Sequence, residues 1–413
     1  MSRPKIMRIL AIANIVPLRD RSAGWFRFYH ILRILSHEHE VHLHPLDLDW
    51  QLQYYGEEET KRYTCELENI GVRVTTGKWS DLSNLIRSHP LDVAFFEHYA
   101  SVRNIIDHIR FWQPHARVIV DTIDIAYHRL SSKAKLTKDQ KDVRLAQKVK
   151  AEELFAYARS DVVIGISQVE VALLKEANPS LRVEAIPLIY AMQPFQQRQR
   201  ETPRDILYVA HFDHEANVDG ILHFCTHVLP LIRQELPDVR LRIVGHSPPA
   251  QVKALSGPNV EILGFVPDIS EIYQSSDVAI APMRFGGGLK GKIAEAMSFG
   301  LPVVTNSACL IGFGLSPGMN VLVGDDPGAF ANAVVSLLRD KVLYQKISEN
   351  GWQFIKANFS EEVVATKLKE LMERRHQYRP KKLPPAKRLV WNARFLMERH
   401  VLWRFRGSSL DTR

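Results

Sequence analysis

Short apolar runs of strand length alternate with longer stretches of helical periodicity along almost the whole chain. Seven such runs lie before residue 190, at Met7–Ile15, Val41–Leu46, Val72–Thr76, Val93–Phe96, Val118–Val120, Val162–Ile166 and Val183–Ile189. Uninterrupted apolar runs are typical of strands buried on both faces of a parallel sheet, and their alternation with helices is typical of stacked βαβ units. The first half of the chain is therefore predicted to be one α/β domain with a seven-stranded sheet.

The first of these runs follows basic residues, a combination that is also found in secretory signal peptides. No small-residue cleavage site comes after it, and the charged segment Pro17–Asp20 follows at once, so we expect a buried first strand. No stretch reaches the roughly 18 uninterrupted apolar residues that a membrane-spanning helix needs. We therefore expect a protein that is soluble or peripheral to a membrane.

The apolar pattern restarts after a polar, Gln-rich segment at 190–204, which is predicted to be a linker. Six further runs follow, at Ile206–Ala210, Leu241–Val244, Val260–Leu263, Val278–Ala281, Val303–Val304 and Val321–Val323. They predict a second doubly wound domain. Ligands of such sheets bind at the carboxyl ends of the strands, and two domains that face each other form a cleft of the kind that ligands prefer. We predict an N-terminal domain at 1–192, a second domain at 193–371 and a tail at 372–413.

The composition narrows the class of protein. A chain of 413 residues with 46% hydrophobic and 24% charged residues is long enough for two or three globular domains, and lies outside the disordered and collagen-like classes. Its cysteines, Cys65, Cys225 and Cys309, are far apart and lack the C-x-x-C spacing of zinc and redox sites. We therefore expect a reducing, cytoplasmic environment and no structural metal.

The net charge of +8 is concentrated in the tail. From Met372 to Arg413 the chain carries twelve Lys and Arg against three Asp and Glu, and the rest is close to neutral apart from a smaller basic stretch at Arg129–Lys150. Aromatic residues alternate with the tail's arginines, and three interpretations stay open: packing on another part of the protein, peripheral contact with an anionic membrane at its inner face, or nucleic-acid binding. The apolar residues spread around most of a helical wheel, which favours packing. Nucleic acid is the least favoured partner.

The segment Met283–Val304 combines several features that suit an anionic ligand. A predicted strand leads into three glycines, Gly286, Gly287 and Gly288, and then into a short predicted helix at about Lys290–Phe299, which Gly300 closes. Glycines let main-chain N–H groups approach an anion, and a helix N-terminus adds a partial positive charge.

Two lysines and one carboxylate on this predicted helix strengthen the prediction. Lys290 and Lys292 lie in the first turn, where the helix dipole disfavours positive charge, so an anionic ligand would offset their cost. Glu295, one turn later, could accept hydrogen bonds from both hydroxyls of a ribose. The alternative is a tight glycine turn with solvated lysines.

The segment Gly286–Val304 resembles the donor-binding signature of the family-4 glycosyltransferases in its form G-G-L-K-x-K-x-x-E-A-M-x-x-G-x-P-V-V. Other segments are similar to the same family in the same order, namely Pro17–Gly24, Tyr208–Asn217, Leu241–Gly245 and Leu263–Asp268. The resemblance implies the GT-B fold, in which two Rossmann-like domains face an interdomain cleft. It also implies metal-independent transfer of a sugar from a nucleotide-diphosphate sugar, with retention of anomeric configuration.

The resemblance also implies roles for individual residues. Glu295 would hold the donor ribose, and the main chain at Phe265 and Val266 would contact the nucleobase. Gly24 would let the chain approach the donor phosphate and the acceptor. The diphosphate and sugar would lie beside five residues: Gly286, Gly287, Gly288, Lys290 and Lys292.

Two departures from the family pattern affect the expected donor contacts. Gly287 stands where many members have a glutamate, which removes an expected contact with the sugar hydroxyls. The usual Arg/Lys phosphate pair is replaced by the segment His211–Asn217, so phosphate binding would fall to Lys290, Lys292 and Arg284.

The first domain offers two catalytic candidates at predicted strand ends. His98, after Glu97, could hydrogen-bond a sugar or share a proton, and the family commonly has a histidine beside the transferred sugar. Chance placement is the alternative, since the chain has 17 histidines. Asp124 could face the acceptor or cap the next helix.

The segment Asp47–Asp49 matches the D-x-D metal motif of the other large glycosyltransferase fold, but it follows an early strand of a domain that does not use this motif. We therefore expect no metal and no cofactor besides the nucleotide sugar as co-substrate. The predicted activity is glycosyl transfer to a glycan, a lipid-linked or a small-molecule acceptor. A nucleotide-sugar epimerase on the same fold and a non-catalytic nucleotide-sugar-binding subunit are the alternatives.

Overall fold

The computed structural model describes residues 6–102, 105–197, 202–285, 289–374 and 377–397. Parts of three predicted features lie outside the described residues: the glycines at 286–288, the linker at 198–201, and the tail at 375–376 and 398–413.

Parallel strands in the described residues form two sheets. The first sheet contains β1 Arg8–Ala13, β2 Glu40–Pro45, β3 Val72–Val74, β4 Val93–Phe96, β5 Arg117–Asp121, β6 Val162–Gly165 and β7 Val183–Ala185. The second contains β8 Asp205–Val209, β9 Arg240–Val244, β10 Val260–Gly264, β11 Val278–Ala281, β12 Val303–Thr305 and β13 Leu322–Val323. Each strand coincides with a predicted apolar run, so the prediction of two α/β domains is confirmed.

The helices connect these strands. In the first half they are α1 Ala23–Ser36, α2 Leu48–Tyr55, α3 Glu57–Asn69, α4 Trp79–Ser88, α5 Tyr99–Val102, α6 Ile106–Trp112, α7 Ala126–Thr137, α8 Gln140–Arg159 and α9 Gln168–Ala177. In the second half they are α10 Glu215–His223, α11 Leu229–Glu235, α12 Ala250–Lys253, α13 Ser270–Ser275, α14 Gly291–Ser298, α15 Pro327–Arg339, α16 Lys341–Phe359, α17 Glu361–Glu373 and α18 Pro385–Met397. A π-helical turn, Phe224–Val228, joins α10 to α11, and a 3-10 turn lies at Ser307–Leu310. No helix among the described residues is long and apolar enough to cross a membrane.

The strand order is the same in both sheets. The first sheet has the order β3-β2-β1-β4-β5-β6-β7 and the second the order β10-β9-β8-β11-β12-β13. In each, the order reverses at the first strand of the domain, between β1 and β4 and between β8 and β11. Such a reversal opens a crevice at the carboxyl ends of the strands, where doubly wound folds bind their ligands.

The first sheet has an apolar layer on each face. Ile9 and Ala11 of β1 belong to one buried cluster, while Leu10 and Ile12 belong to the other. Successive side chains of a strand point to opposite faces, and because both faces are covered here, the sequence is apolar without alternation.

The chain returns to the first domain before the predicted boundary at residue 371. Val364 and Leu368 of α17 are buried in the first domain's core, and the Arg117 guanidinium of β5 donates to the carbonyls of Leu371 and Met372, each at 3.1 Å. In space, α17 therefore belongs to the first domain, although the sequence pattern placed it in the second.

The predicted linker has no helix or strand in its described parts, 190–197 and 202–204. Its first half lies on the second domain: the Tyr190 N–H donates to the Phe359 carbonyl at 3.0 Å, and the Trp352 indole donates to the Gln193 carbonyl at 2.8 Å. These contacts hold the linker against α16.

The described part of the tail packs on the first domain. The main-chain N–H of Lys381 donates to Asp161 at 2.7 Å, and the Lys387 ammonium group lies 2.9 Å from Asp107. The Trp391 ring of α18 stacks on Phe111 with the ring centroids 5.8 Å apart. Of the three interpretations of the tail, these contacts support packing.

Candidate functional site

The helix α14 lies at the carboxyl end of β11 and leads into β12, as the sequence predicts. Gly300 follows the end of the helix, and its φ of +69° is in the left-handed region. A Cβ at this position would lie 3.2 Å from the ring of Phe195, so glycine suits both the backbone conformation and the space. The lysines of the first turn and Glu295 are therefore placed at the ligand-binding edge of the second sheet.

Lys292 is held by neutral groups of the second domain. Its ammonium nitrogen lies 2.7 Å from Oδ1 of Asn217 and 3.4 Å from the Tyr208 hydroxyl. It also lies 4.6 Å from the centroid of the Tyr208 ring, in a cation–π contact. Burial lowers the pKa of Lys292 to about 7, because none of these contacts carries a negative charge to offset the desolvation of the ammonium group.

Glu295 lies farther along α14 and is oriented by a tyrosine. The Tyr273 hydroxyl donates to Oε2 of Glu295 at 3.0 Å, and the Tyr273 ring stacks on Phe299 with centroids 4.7 Å apart. Burial raises the pKa of Glu295, whereas the Tyr273 hydroxyl and Lys292 lower it. Lys290 immediately precedes the helix. Burial lowers its pKa. The first turn thus presents cationic groups whose charge an anionic ligand would stabilise.

The predicted nucleobase edge follows β10. The Phe265 side chain is 55% exposed, while Val266 packs against the core of the second domain. The His246 ring, after β9, lies 6.0 Å from the Phe265 ring. An exposed aromatic ring at the carboxyl end of a strand offers a face on which a planar base could stack.

The segment His211–Asn217 stands where the resembled family has an Arg/Lys pair, and here it contributes to the surroundings of Lys292. Asn217 accepts from Lys292, as described above, and His214 immediately precedes α10. Burial lowers the pKa of His214, and the positive charge of nearby Arg129 lowers it further. Sequence reasoning assigned no role to Asn217, because an amide that holds a lysine has no recognisable spacing.

Arg284 is held in an ion pair on the second domain. Its Nε lies 2.9 Å from Oδ2 of Asp219, on α10, and the two side chains form an ion pair. The pairing joins the Arg284 side chain to α10, and its contact with the donor phosphate stays a prediction.

In the first domain, His98 follows β4 at the corresponding edge of the first sheet. Burial lowers the pKa of His98, and Asp124 raises it. The Ala100 N–H lies 3.5 Å from Nδ1, which favours the neutral tautomer with its proton on Nε2. The preceding residue, Glu97, is buried, and burial raises its pKa to about 8. His98 is therefore placed as a neutral hydrogen-bond donor.

Asp124 holds Arg129 rather than capping a helix. The Arg129 Nε donates to Asp124 Oδ2 at 2.8 Å. The start of α7 is capped from a distance by Glu153, which accepts from the N–H groups of Ala126 at 3.1 Å and Tyr127 at 2.7 Å. The capping alternative for Asp124 is therefore wrong, and Arg129 joins the candidate site.

Gly24 lies in the first turn of α1 and faces the loop that carries Asp124. A Cβ on Gly24 would lie 2.9 Å from Cγ2 of Ile123, and Ile123 itself has a φ of +59°. The glycine therefore allows the N-terminal loop and the loop after β5 to pack closely.

Behind these loops, Arg27 and Asp121 form a buried ion pair. Nε of Arg27 lies 2.7 Å from Oδ2 of Asp121, and its Nη2 donates to the Ile186 carbonyl at 3.0 Å. The pair joins α1 to the ends of β5 and β7. It thereby holds together the elements that carry Gly24 and Asp124.

Contacts across the cleft bring the two halves of the site together. Lys133 of α7 lies 4.0 Å from Glu215 of α10, and Arg129 is close enough to lower the pKa of His214. A Cβ on Gly312 would lie 3.6 Å from the Ser167 hydroxyl. The carboxyl ends of the two sheets therefore face each other, as the prediction of an interdomain cleft requires.

The D-x-D segment lies elsewhere in the first domain. Asp47 precedes α2 as its N-terminal cap residue, and Asp49 lies in the first turn. In the part of the chain that the structure describes, no group of three His, Cys, Asp or Glu side chains is arranged to hold a metal ion.

Part of the chain matches a known protein family. Residues 203–340 match the family described as Glycosyl transferases group 1. The second domain matches this family. The matched range includes Lys290, Lys292, Glu295 and the predicted nucleobase edge.

Two curated relatives align with less than half of the chain. A protein of Klebsiella pneumoniae described as an uncharacterized 44.6 kDa protein in the cps region is 26% identical over 193 residues, which are 44% of this chain and 50% of that protein. A phosphatidyl-myo-inositol mannosyltransferase of Mycobacterium leprae is 26% identical over 177 residues, 41% of this chain and 46% of that protein. The chain thus spans about half the length of the curated relatives it matches.

Among solved structures, Anabaena HepE in complex with UDP and glucose is similar over both domains. It has a TM-score of 0.61 and 15% sequence identity, and the alignment covers 89% of this chain and 99% of that one. The chain therefore has the GT-B fold, and the fold predicted from the sequence is confirmed.

Proposed function

We propose that this protein is a glycosyltransferase that moves a sugar from a nucleotide-diphosphate sugar to an acceptor. The observation that carries the proposal is the start of α14, where Lys290 and Lys292 precede the tyrosine-oriented carboxylate of Glu295 at the ligand-binding edge of the second sheet. Diphosphate and ribose are the two parts of a nucleotide that these groups suit. The family match of residues 203–340 supports glycosyl transfer.

The reaction separates negative charge onto the departing nucleoside diphosphate, and catalysis needs groups that stabilise this charge. Lys292 suits this task, because burial lowers its pKa, and an anion beside it would offset this burial and favour the protonated form. Lysines and main-chain N–H groups of α14 would then act where other enzymes use a metal ion. We propose metal-independent transfer with retention of configuration, as the sequence resemblance implies.

The first domain supplies the groups that would face the transferred sugar. His98, neutral and with its proton on Nε2, would donate a hydrogen bond to a sugar hydroxyl. Asp124 would orient Arg129 towards the second domain, where a guanidinium group could stabilise the leaving diphosphate. In this assignment Asp124 acts as a positioning residue.

Nucleoside diphosphate release tests the proposal. Purified protein incubated with UDP-, GDP- and ADP-sugars, with and without EDTA, is expected to transfer the sugar of one of them to water and release the diphosphate, at an equal rate in both conditions. Interconversion of sugars without release would show an epimerase, and binding without any turnover would show the non-catalytic subunit. Loss of release in EDTA that Mn²⁺ or Mg²⁺ restores would contradict metal independence.

We further propose that the acceptor is linked to an anionic membrane surface, which the α7–α8 hairpin would approach. Its exposed basic side chains include Lys135, Lys138, Lys141, Arg144 and Lys148. Leu145, on the same helix, is 45% exposed. Basic groups beside an exposed apolar side chain suit anionic lipid, and the Mycobacterium leprae relative is named for transfer to a phosphatidyl-inositol lipid.

A further inference from the structure

Tyr190 is a buried tyrosine whose hydroxyl has no hydrogen-bond partner among the described residues. The side chain is 8% exposed, and its ring meets Phe359 edge-on with centroids 6.0 Å apart. Its main-chain N–H is bonded to Phe359 as well. The ring is thus fixed in place while the hydroxyl stays unsatisfied, an arrangement that costs free energy unless a ligand completes it.

The hydroxyl points at the start of α14. It lies 3.6 Å from the place that a Cβ on Gly291, the first residue of the helix, would take. The main-chain N–H groups of a first helical turn have no partner within the helix, and this end carries the positive pole of the dipole. A buried hydroxyl and a helix N-terminus therefore converge on one point.

Tyr190 lies near charged groups of both domains. Burial raises its pKa most, the carboxylate of Glu295 raises it further, and Arg27 of the first domain lowers it. The phenol therefore stays protonated at any physiological pH and can act as a donor. It lies near the residue assigned to the donor ribose and next to the turn assigned to the diphosphate.

We propose that the Tyr190 hydroxyl donates a hydrogen bond to a phosphate oxygen of the donor's nucleoside diphosphate. The proposal rests on the function proposed above and adds a donor contact from the segment that joins the two domains. Phosphate oxygens accept hydrogen bonds, and an anion at the helix start would also satisfy the N–H groups there. Tyr190 would thereby supply part of the phosphate binding that the absent Arg/Lys pair leaves open.

This role predicts opposite effects of one substitution on stability and on binding. Tyr190→Phe removes the unsatisfied hydroxyl but keeps the ring, so the ligand-free protein should melt at a higher temperature than the wild type. A hydroxyl with a merely structural hydrogen bond would give the reverse, because its loss destabilises a folded protein.

Calorimetric titration with UDP, GDP and ADP, and with their nucleosides in competition, tests the proposal. Tyr190→Phe should bind the preferred diphosphate about 5- to 20-fold more weakly, as expected for a lost charge-assisted hydrogen bond, with nucleoside affinity unchanged. The matched control is Tyr344→Phe, which removes another buried tyrosine hydroxyl, on α16, and should leave diphosphate affinity unchanged.

Three other outcomes of this titration would each contradict one of the claims made above. Wild-type binding that Tyr190→Phe leaves unchanged would overturn the role of Tyr190 and leave the proposed function intact. An equal loss of nucleoside and diphosphate affinity would show a ribose contact and overturn the phosphate assignment. If the wild type bound none of the three diphosphates, the proposed function would fail and this inference with it.

Discussion

The surroundings of Lys292 are expected to couple ligand binding to the uptake of a proton. An amide oxygen, a phenol and a thioether contact its ammonium group, and burial lowers its pKa to about 7. A doubly charged anion at the same place would favour the protonated form and raise that pKa.

We therefore expect nucleoside diphosphate binding at pH 8 to take up protons. Titrations in buffers of different ionisation enthalpy should give different apparent heats, and affinity should fall as the pH rises above about 7. Lys292→Met should abolish this proton uptake and weaken binding. Heats that do not depend on the buffer would show that Lys292 is already charged in the free protein.

At the scale of elements, the strands were predictable and the long-range cap of α7 was not. Strands such as β1 and β4 are buried on both faces, and this burial leaves an uninterrupted apolar run in the sequence. The cap of α7 comes from Glu153, on the next helix, and no local pattern reveals it. For the same reason, no local pattern revealed the contact of Arg129 with Asp124 or the return of α17 to the first domain.

The long-range cap of α7 predicts an effect on stability. Glu153→Ala leaves two N–H groups of the first turn without a protein acceptor, so it should lower the free energy of unfolding by about 1–2 kcal/mol. Chemical denaturation measures the effect, with Glu176→Ala, an exposed glutamate on α9, as the matched control. Equal stability of the two variants would contradict the capping role.

Glu153 belongs to a set of buried carboxyl groups in the first domain with raised pKa values. Burial raises the pKa of Glu97 to about 8 and those of Glu153 and Glu170 to about 7. A folded-state pKa above the unfolded value means that stability is greatest below the unfolded pKa and is lost as pH rises through the folded one. The first domain should therefore lose stability between about pH 4.5 and pH 8.

At the scale of the whole molecule, the tail is part of the first domain in the residues described. Truncation after Tyr378 removes the hydrogen bond from Lys381 to Asp161 and the stacking of Trp391 on Phe111. We expect the melting temperature to fall by about 4–10 °C, as for a loss of a few kcal/mol. Trp391→Ala should give a smaller fall and Asn392→Ala, on the exposed side of α18, none. An unchanged melting temperature after truncation would mean that the tail contributes nothing to the fold.

The membrane proposal concerns the α7–α8 hairpin, since the described tail is already packed. Wild-type protein should co-sediment with liposomes that contain anionic lipid, and less so as salt rises, because charges are screened over about 8 Å at physiological ionic strength. Lys141→Glu with Arg144→Glu should reduce binding, whereas Lys253→Glu with Lys341→Glu, exposed on the second domain, should change it less. No binding to anionic liposomes at low salt would favour a soluble acceptor.

The donor site on α14 is the central claim, and calorimetric titration of Glu295→Ala with UDP, GDP and ADP tests it most directly. Loss of the carboxylate should weaken binding of the preferred diphosphate by about 1–3 kcal/mol, as for a lost charge-assisted hydrogen bond, with the fold retained. Glu349→Ala, an exposed glutamate on α16, should bind like the wild type. A folded Glu295→Ala protein with unchanged affinity would show that the nucleotide binds elsewhere.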